Sequence, residues 1–197
     1  MITYLKGKLA YKDPTHVIVD VGGVGYEVKI SLNTYSQVKD KEDILIQTYL
    51  HIKEDAHTLF GFYEESEKKR FLDLLSINGV GPSTALMILS SLDAKELQAA
   101  IVHEDVKTIQ SVKGIGGKTA QRIILELKDK MKKEGLLDKT VEIAPRIDNT
   151  LKVEALSALT TLGINKSVAE KTISSIMKEF GDDMKLEDLI KQALKRA

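Results

Sequence analysis

The sequence predicts an α+β multidomain chain: a small β-barrel over residues 1–63, an all-α domain over 64–135, a linker over 136–150 and a three-helix bundle over 151–197. Three observations predict it. Eight of the ten aromatic residues lie before residue 64, and aromatic and β-branched residues favour strands. In the centre, a helix, a glycine-apolar-glycine hairpin and a second helix are written twice, 35 residues apart. Towards the C-terminus, three short amphipathic helical patterns are punctuated by glycine.

The strands come first. His16–Val21 and Tyr26–Ile30 are joined by Gly22-Gly23-Val24-Gly25, a hairpin signal. Ile2–Leu9, Ile44–Ile52 and Thr58–Phe62 supply three more. Five short strands in one small domain fit a Greek-key barrel such as the OB-fold, with other small barrels still open. Helices follow over Glu64–Ser76, Pro82–Ser90, Ala94–His103, Val106–Ser111 and Thr119–Glu134. Pro82 stands where a first-turn proline is tolerated. In the last of these, Ala120, Ile123, Ile124 and Leu127 share one face, and Arg122, Lys128, Lys130, Lys132 and Lys133 lie largely elsewhere. Residues 136–150 have no periodicity, contain Pro145, Asp148 and Asn149, and read as a linker. Leu151–Leu162, Ser167–Phe180 and Leu186–Arg196 then read as helices, with Gly163 and Gly181 as stops. They are expected to form a separate, mobile bundle with a modest core.

Composition narrows the chemistry. There is no cysteine, so disulfides and cysteine-based zinc sites are excluded, and a reducing compartment fits. His16, His51, His57 and His103 show no metal-ligand spacing. No apolar run approaches the roughly 18 residues of a membrane span, and no signal-peptide pattern opens the chain. A soluble cytoplasmic protein without a membrane partner is expected. Net charge is zero, with 29 basic and 29 acidic residues, and residues 64–135 carry 12 basic against 11 acidic. Nucleic-acid binders are usually basic, so any such function must rest on where charge is placed rather than on its total.

The duplication is the strongest motif. Asn78-Gly79-Val80-Gly81-Pro82-Ser83-Thr84-Ala85 recurs as Lys113-Gly114-Ile115-Gly116-Gly117-Lys118-Thr119-Ala120. Leu74, Ser76 and Ile77 match Ile109, Ser111 and Val112 upstream. A single glycine turn between helices is ordinary, because glycine adopts the left-handed conformation at little steric cost. Two copies in register point instead to a ligand. Val80 and Ile115 would anchor each turn, and the flanking amides near Gly79, Gly81, Gly114, Gly116 and Gly117 would face a phosphate at a helix start. Ser83, Thr84 and Thr119 lie in the adjoining first turns, and Lys118 and Arg122 are the nearest cations.

Other features read as ordinary structure. Gly117-Lys118-Thr119 resembles the end of a nucleotide-binding P-loop, but that loop needs glycine where Val112 stands. Glu54 and Asp55 lie between the last two strands and by themselves suit a turn. A paired-carboxylate magnesium site is conceivable there, but two acids on a turn are too common to support it. The aromatics of the first domain suit core packing better than base stacking. Leu156, Leu159, Leu162, Ile173 and Ile176 read first as bundle core, although a small tethered bundle also makes a docking module.

Taken in order, the motifs resemble the RuvA family of bacterial Holliday-junction-binding proteins along the whole chain. The resemblance rests on Gly22-Gly23-Val24-Gly25-Tyr26-Glu27-Val28, on Glu54-Asp55-Ala56 followed by Leu59-Phe60-Gly61-Phe62, and on Asn78-Gly79-Val80-Gly81-Pro82. It continues through Gly114-Ile115-Gly116, Lys118-Thr119-Ala120, Glu154-Ala155-Leu156, Ala158-Leu159 and Leu162-Gly163. It implies an N-terminal OB-fold β-barrel, a central all-α helix–hairpin–helix domain and a C-terminal three-helix bundle. It implies a homotetramer, alone or as two tetramers face to face, that binds four-way junction DNA and holds it open, with no cofactor and no catalysis of its own. Glu54 and Asp55 match the family's acidic pin at the junction centre, which reverses their local reading. The third domain, with Leu156, Leu159, Leu162, Ile173 and Ile176, would dock RuvB, the hexameric ATPase of branch migration. RuvC, the resolvase, is the further partner implied. The setting is recombination and repair in the response to DNA damage.

Two positions depart from the family pattern. Lysine is frequent there where this chain has Ser83, and again where it has Gly117. Fewer cations predict more reliance on backbone amides and a shallower salt dependence. The rival reading is a helix–hairpin–helix repair enzyme, a glycosylase or nuclease. A glycosylase would need a catalytic Asp or Lys soon after a hairpin, and the helix after Gly116 offers none in a convincing context. A single-strand-binding barrel is the third reading.

Overall fold

The computed structural model describes residues 1–141, 148–180 and 184–196. Five strands, β1 (Tyr4–Lys12), β2 (His16–Val21), β3 (Val24–Ile30), β4 (Asp43–Ile52) and β5 (His57–Phe62), close into a barrel in the order β1-β2-β3-β5-β4. All pairings are antiparallel except β3 with β5. This is the OB-type Greek-key arrangement. The first strand starts and ends later than its sequence pattern predicts. It pairs with both β2 and β4, and its register against β2 slips between Leu9 and Tyr11.

Alternate residues fill the barrel, among them Val17, Val19, Val28, Ile30, Ile44 and Ile46. There is no room for a side chain at Gly61, where a Cβ would lie 2.7 Å from Cδ1 of Ile46 and closer still to Cγ1 of Val28. A short helix, α1 (Leu32–Val38), sits between β3 and β4 and has no sequence signal of its own. It is rich in residues of low helix propensity. Its cap is Ser31, whose Oγ accepts from the Thr34 N–H at 2.9 Å, and burial of Thr34 and Val38 secures it.

Five helices follow: α2 (Glu65–Leu75), α3 (Pro82–Ser91), α4 (Ala94–Val102), α5 (Val106–Gln110) and α6 (Gly117–Val141). Barrel and helices form one compact unit, Met1–Gly135. The reason lies in β5. Leu59 and Gly61 face the barrel interior, whereas Phe60 and Phe62 face outward into the helical core. Their rings lie 5.3 and 4.8 Å from that of Phe71 in α2. The boundary between the barrel core and the helical core therefore runs through β5 itself, and not at the change from strand to helix near residue 63.

Two buried polar groups fasten the unit. Glu67 accepts hydrogen bonds from the hydroxyls of Ser31 and Thr34, joining α2 to the start of α1. Burial pushes its carboxyl above the usual glutamate range. Asp73 accepts from Arg70 at 2.8 Å and from Lys130, joining α2 to α6.

The second unit, Leu136–Ala197, contains α7 (Asp148–Thr161), α8 (Lys166–Phe180) and α9 (Leu186–Arg196). Ala155, Leu159, Ala169, Ile173, Ile176, Leu189 and Ala193 make its core. Gly163 ends α7 with φ +92, and the N–H of Ile164 closes back onto Leu159 O at 3.0 Å. The stretch 136–150, expected as a linker, is helical at both ends: α6 continues to Val141 and α7 begins at Asp148. Leu136, Leu137 and Lys139 are helix formers, which lets α6 run past Gly135. Pro145 and Gly181 lie outside the described residues.

Candidate nucleic-acid interface

The two hairpins repeat in three dimensions as they do in sequence. Gly79 and Gly114 both adopt left-handed backbone, with φ +93 and +86. The amide of Val80 closes on Ile77 O at 3.0 Å, and that of Ile115 on Val112 O at 3.0 Å. Past the turn, Ala85 N–H reaches Gly81 O and Ala120 N–H reaches Gly116 O, each at 2.9 Å. Burial alternates identically over ten matched positions, 76–85 and 111–120. Val80 and Ile115 are buried, as their anchoring role requires.

The other face is open. A Cβ placed on Gly79, Gly81, Gly114 or Gly116 would meet nothing within 4 Å. Gly117 differs only in that the Gln110 side chain lies 3.7 Å away. Gly81 caps α3 without a side-chain hydrogen bond, so the first-turn amides of that helix have no intrahelical acceptor. Ser83 and Lys118 occupy the same exposed position in the two copies, and Thr84 and Thr119 the same half-buried one. Such a surface presents backbone donors and little side-chain bulk, which suits close approach of a phosphate chain.

Arg122 has a structural duty that its place in the sequence does not signal. Its guanidinium donates to Asn78 O in the first hairpin at 3.0 Å, and Nε lies 3.8 Å from Glu126. Its side chain stays half-exposed, so it braces one hairpin from the helix that follows the other.

Glu54 and Asp55 stand exposed at the tip of the β4–β5 turn, where Lys53 N–H donates to Ala56 O at 2.8 Å. The five apolar residues expected at a docking surface divide. Leu159, Ile173 and Ile176 are fully buried in the bundle core. This agrees with their first reading as core, because a bundle this small needs its best apolar stripes for itself. Leu156 is half-buried and Leu162 is 61% exposed, with Val153 and Val168 also exposed.

A barrel of OB type joined to tandem helix–hairpin–helix motifs defines a class of multidomain scaffold that presents paired backbone-amide hairpins. Residues 1–61 match the RuvA N terminal domain, residues 71–129 the SAM-like helix-hairpin-helix tandem, and residues 153–197 the RuvA C-terminal domain. The Holliday junction branch migration complex subunit RuvA of Cytophaga hutchinsonii is 59% identical over 197 residues, covering 99% of each chain. The same subunit of Amoebophilus asiaticus is 52% identical, covering 99% of this chain and all of the relative. That of Bacteroides fragilis is 41% identical with both chains fully covered. The chain belongs to the RuvA family.

Proposed function

We propose that this protein binds four-way (Holliday) DNA junctions by their shape and serves branch migration as a non-catalytic subunit in recombination and DNA repair. The observation that carries this reading is the pair of matched hairpins, open on the ligand side and anchored on the other. Their geometry grips a phosphate backbone without reading bases. Relatives across the full length of the chain are named as Holliday junction branch migration complex subunits.

The finer reading is a cytoplasmic homotetramer, alone or doubled face to face, with hairpins on the arms and the turns of Glu54 and Asp55 around the crossover. Carboxylates there repel phosphates and keep strands apart. The third domain recruits the RuvB ATPase through half-buried Leu156 and exposed Leu162, while Leu159, Ile173 and Ile176 hold the bundle together. RuvC acts on the same junction. The test is a competition gel shift among junction, duplex and single strand of matched sequence at stated salt. Clear preference for the junction is expected; equal affinity for junction and duplex overturns the reading.

A further inference from the structure

Between the outer face of the barrel and α3 lies an open groove of about 640 Å³. Phe60 and Leu86 line it, Lys29 of β3 contributes from the barrel, and Ser83 and Lys113 contribute from the hairpins. Ser83 lies in the first turn after one hairpin, and Lys113 immediately precedes Gly114 of the other. The groove is thus continuous with both.

Its charge is available. Arg122, Lys128 and Lys130 are committed to Asn78 and Glu126, to Glu104, and to Asp73. Lys29 and Lys113 are exposed, and no carboxylate among the described residues lies within ion-pair distance of either. Glu27 is the one acid among the groove's lining residues. His16, across the strand pair from Lys29, is held by Asp13 at 3.3 Å. The hairpins carry no cation at Ser83 or Gly117, which leaves Lys118 as the one lysine in the two turns and Lys29 and Lys113 as the lysines on the groove side. A groove lined by both cations and apolar side chains suits a nucleic-acid backbone, which alternates phosphates with the carbon-rich edges of its sugars.

We propose that this groove is a second phosphate track for the DNA arm, in which Lys113 and Lys29 hold backbone phosphates beyond the hairpins and supply charge that Ser83 and Gly117 do not. The proposal rests on the reading of the hairpins as a DNA grip.

The test measures junction affinity against salt for the full-length protein, Lys29→Gln, Lys113→Gln, the double variant and the double Arg variant. Each lost phosphate contact flattens the slope of log K against log salt by about 0.9. Between about 50 and about 200 mM salt, wild type then loses roughly tenfold more affinity than the double Gln variant, and the Arg variant restores the wild-type slope. Gly81→Ala with Gly116→Ala serves as the hairpin control. An unchanged slope in the Gln variants, with binding lost in the hairpin control, overturns the groove and leaves the grip standing. Binding retained in the hairpin control overturns the grip itself. Gln variants that fall to a smaller oligomer by sedimentation, with an unchanged slope, make the groove a contact between copies of the chain and also overturn the proposal.

Discussion

The guanidinium of Arg122 donates to the carbonyl oxygen of Asn78 at 3.0 Å, across 44 positions of sequence. The helix that follows the second hairpin thereby holds the first. In the first repeat the matching position is Met87, which is exposed and makes no such bond. The brace is therefore one-sided, and the two hairpins are less symmetric in support than in shape. Replacing Arg122 with Met should loosen the first hairpin although the change lies beyond the second. Hydrogen exchange at the amides of Gly79, Val80 and Gly81 should accelerate. Unaltered exchange there would mean that the bond bears no load.

The hairpin glycines separate folding from binding. Gly79 and Gly114 need positive φ, so alanine at either should cost about 1–2 kcal/mol of stability. Gly81 has φ −88, an ordinary value, and its Cβ would enter open space. Gly81→Ala and Gly116→Ala should leave denaturation midpoints unchanged while weakening junction binding at least tenfold, because the new methyl groups occupy the phosphate's place. Denaturation and gel shift on the same preparations check both halves. A fall in stability without loss of binding would contradict the assignment.

Changing Glu54 and Asp55 to Gln and Asn should strengthen binding to plain duplex by removing repulsion, and so narrow the preference for the junction. Fluorescence anisotropy with both DNAs reads this directly. Duplex binding that stays the same or weakens would refute the pin role.

Glu67 makes stability depend on pH. Burial is the main cause of its raised pKa, and the Ser31 and Thr34 hydroxyls oppose it only in part. Its folded pKa exceeds the unfolded one, so its contribution is fully present below the unfolded value and is lost as pH rises through the folded value. Glu67→Gln should flatten the fall in stability from the ordinary glutamate range upward. Urea denaturation across that range would show it, and an unchanged slope would assign the pH dependence elsewhere.

In the third domain, Leu162→Arg should preserve the bundle's circular dichroism and abolish stimulation of the RuvB ATPase. Ile173→Asp should unfold the bundle instead, since Ile173 is fully buried. Retained stimulation in Leu162→Arg would move the docking face off this end of α7.

Much of this was readable along the chain, because local periodicity and turn chemistry set it. The strands at 16–21 and 58–62, the two hairpins with their buried Val80 and Ile115, and the helices of the bundle all follow from patterns shorter than one element. What no such pattern carries is which face meets which neighbour. Short α1 exists because barrel and helices bury it, against its own low propensity. Phe60 and Phe62 read as barrel core in a strand of aromatics, yet they serve the helical core because β5 is walled on both sides. Arg122 reads as a cation near the grip, and Lys113 only as the residue that opens the second copy of the motif. Contacts between residues far apart in sequence turned one into a brace on Asn78 and brought the other to the groove beside Ser83. Ionic partners are chosen by distance in space, and a linear pattern encodes only distance along the chain.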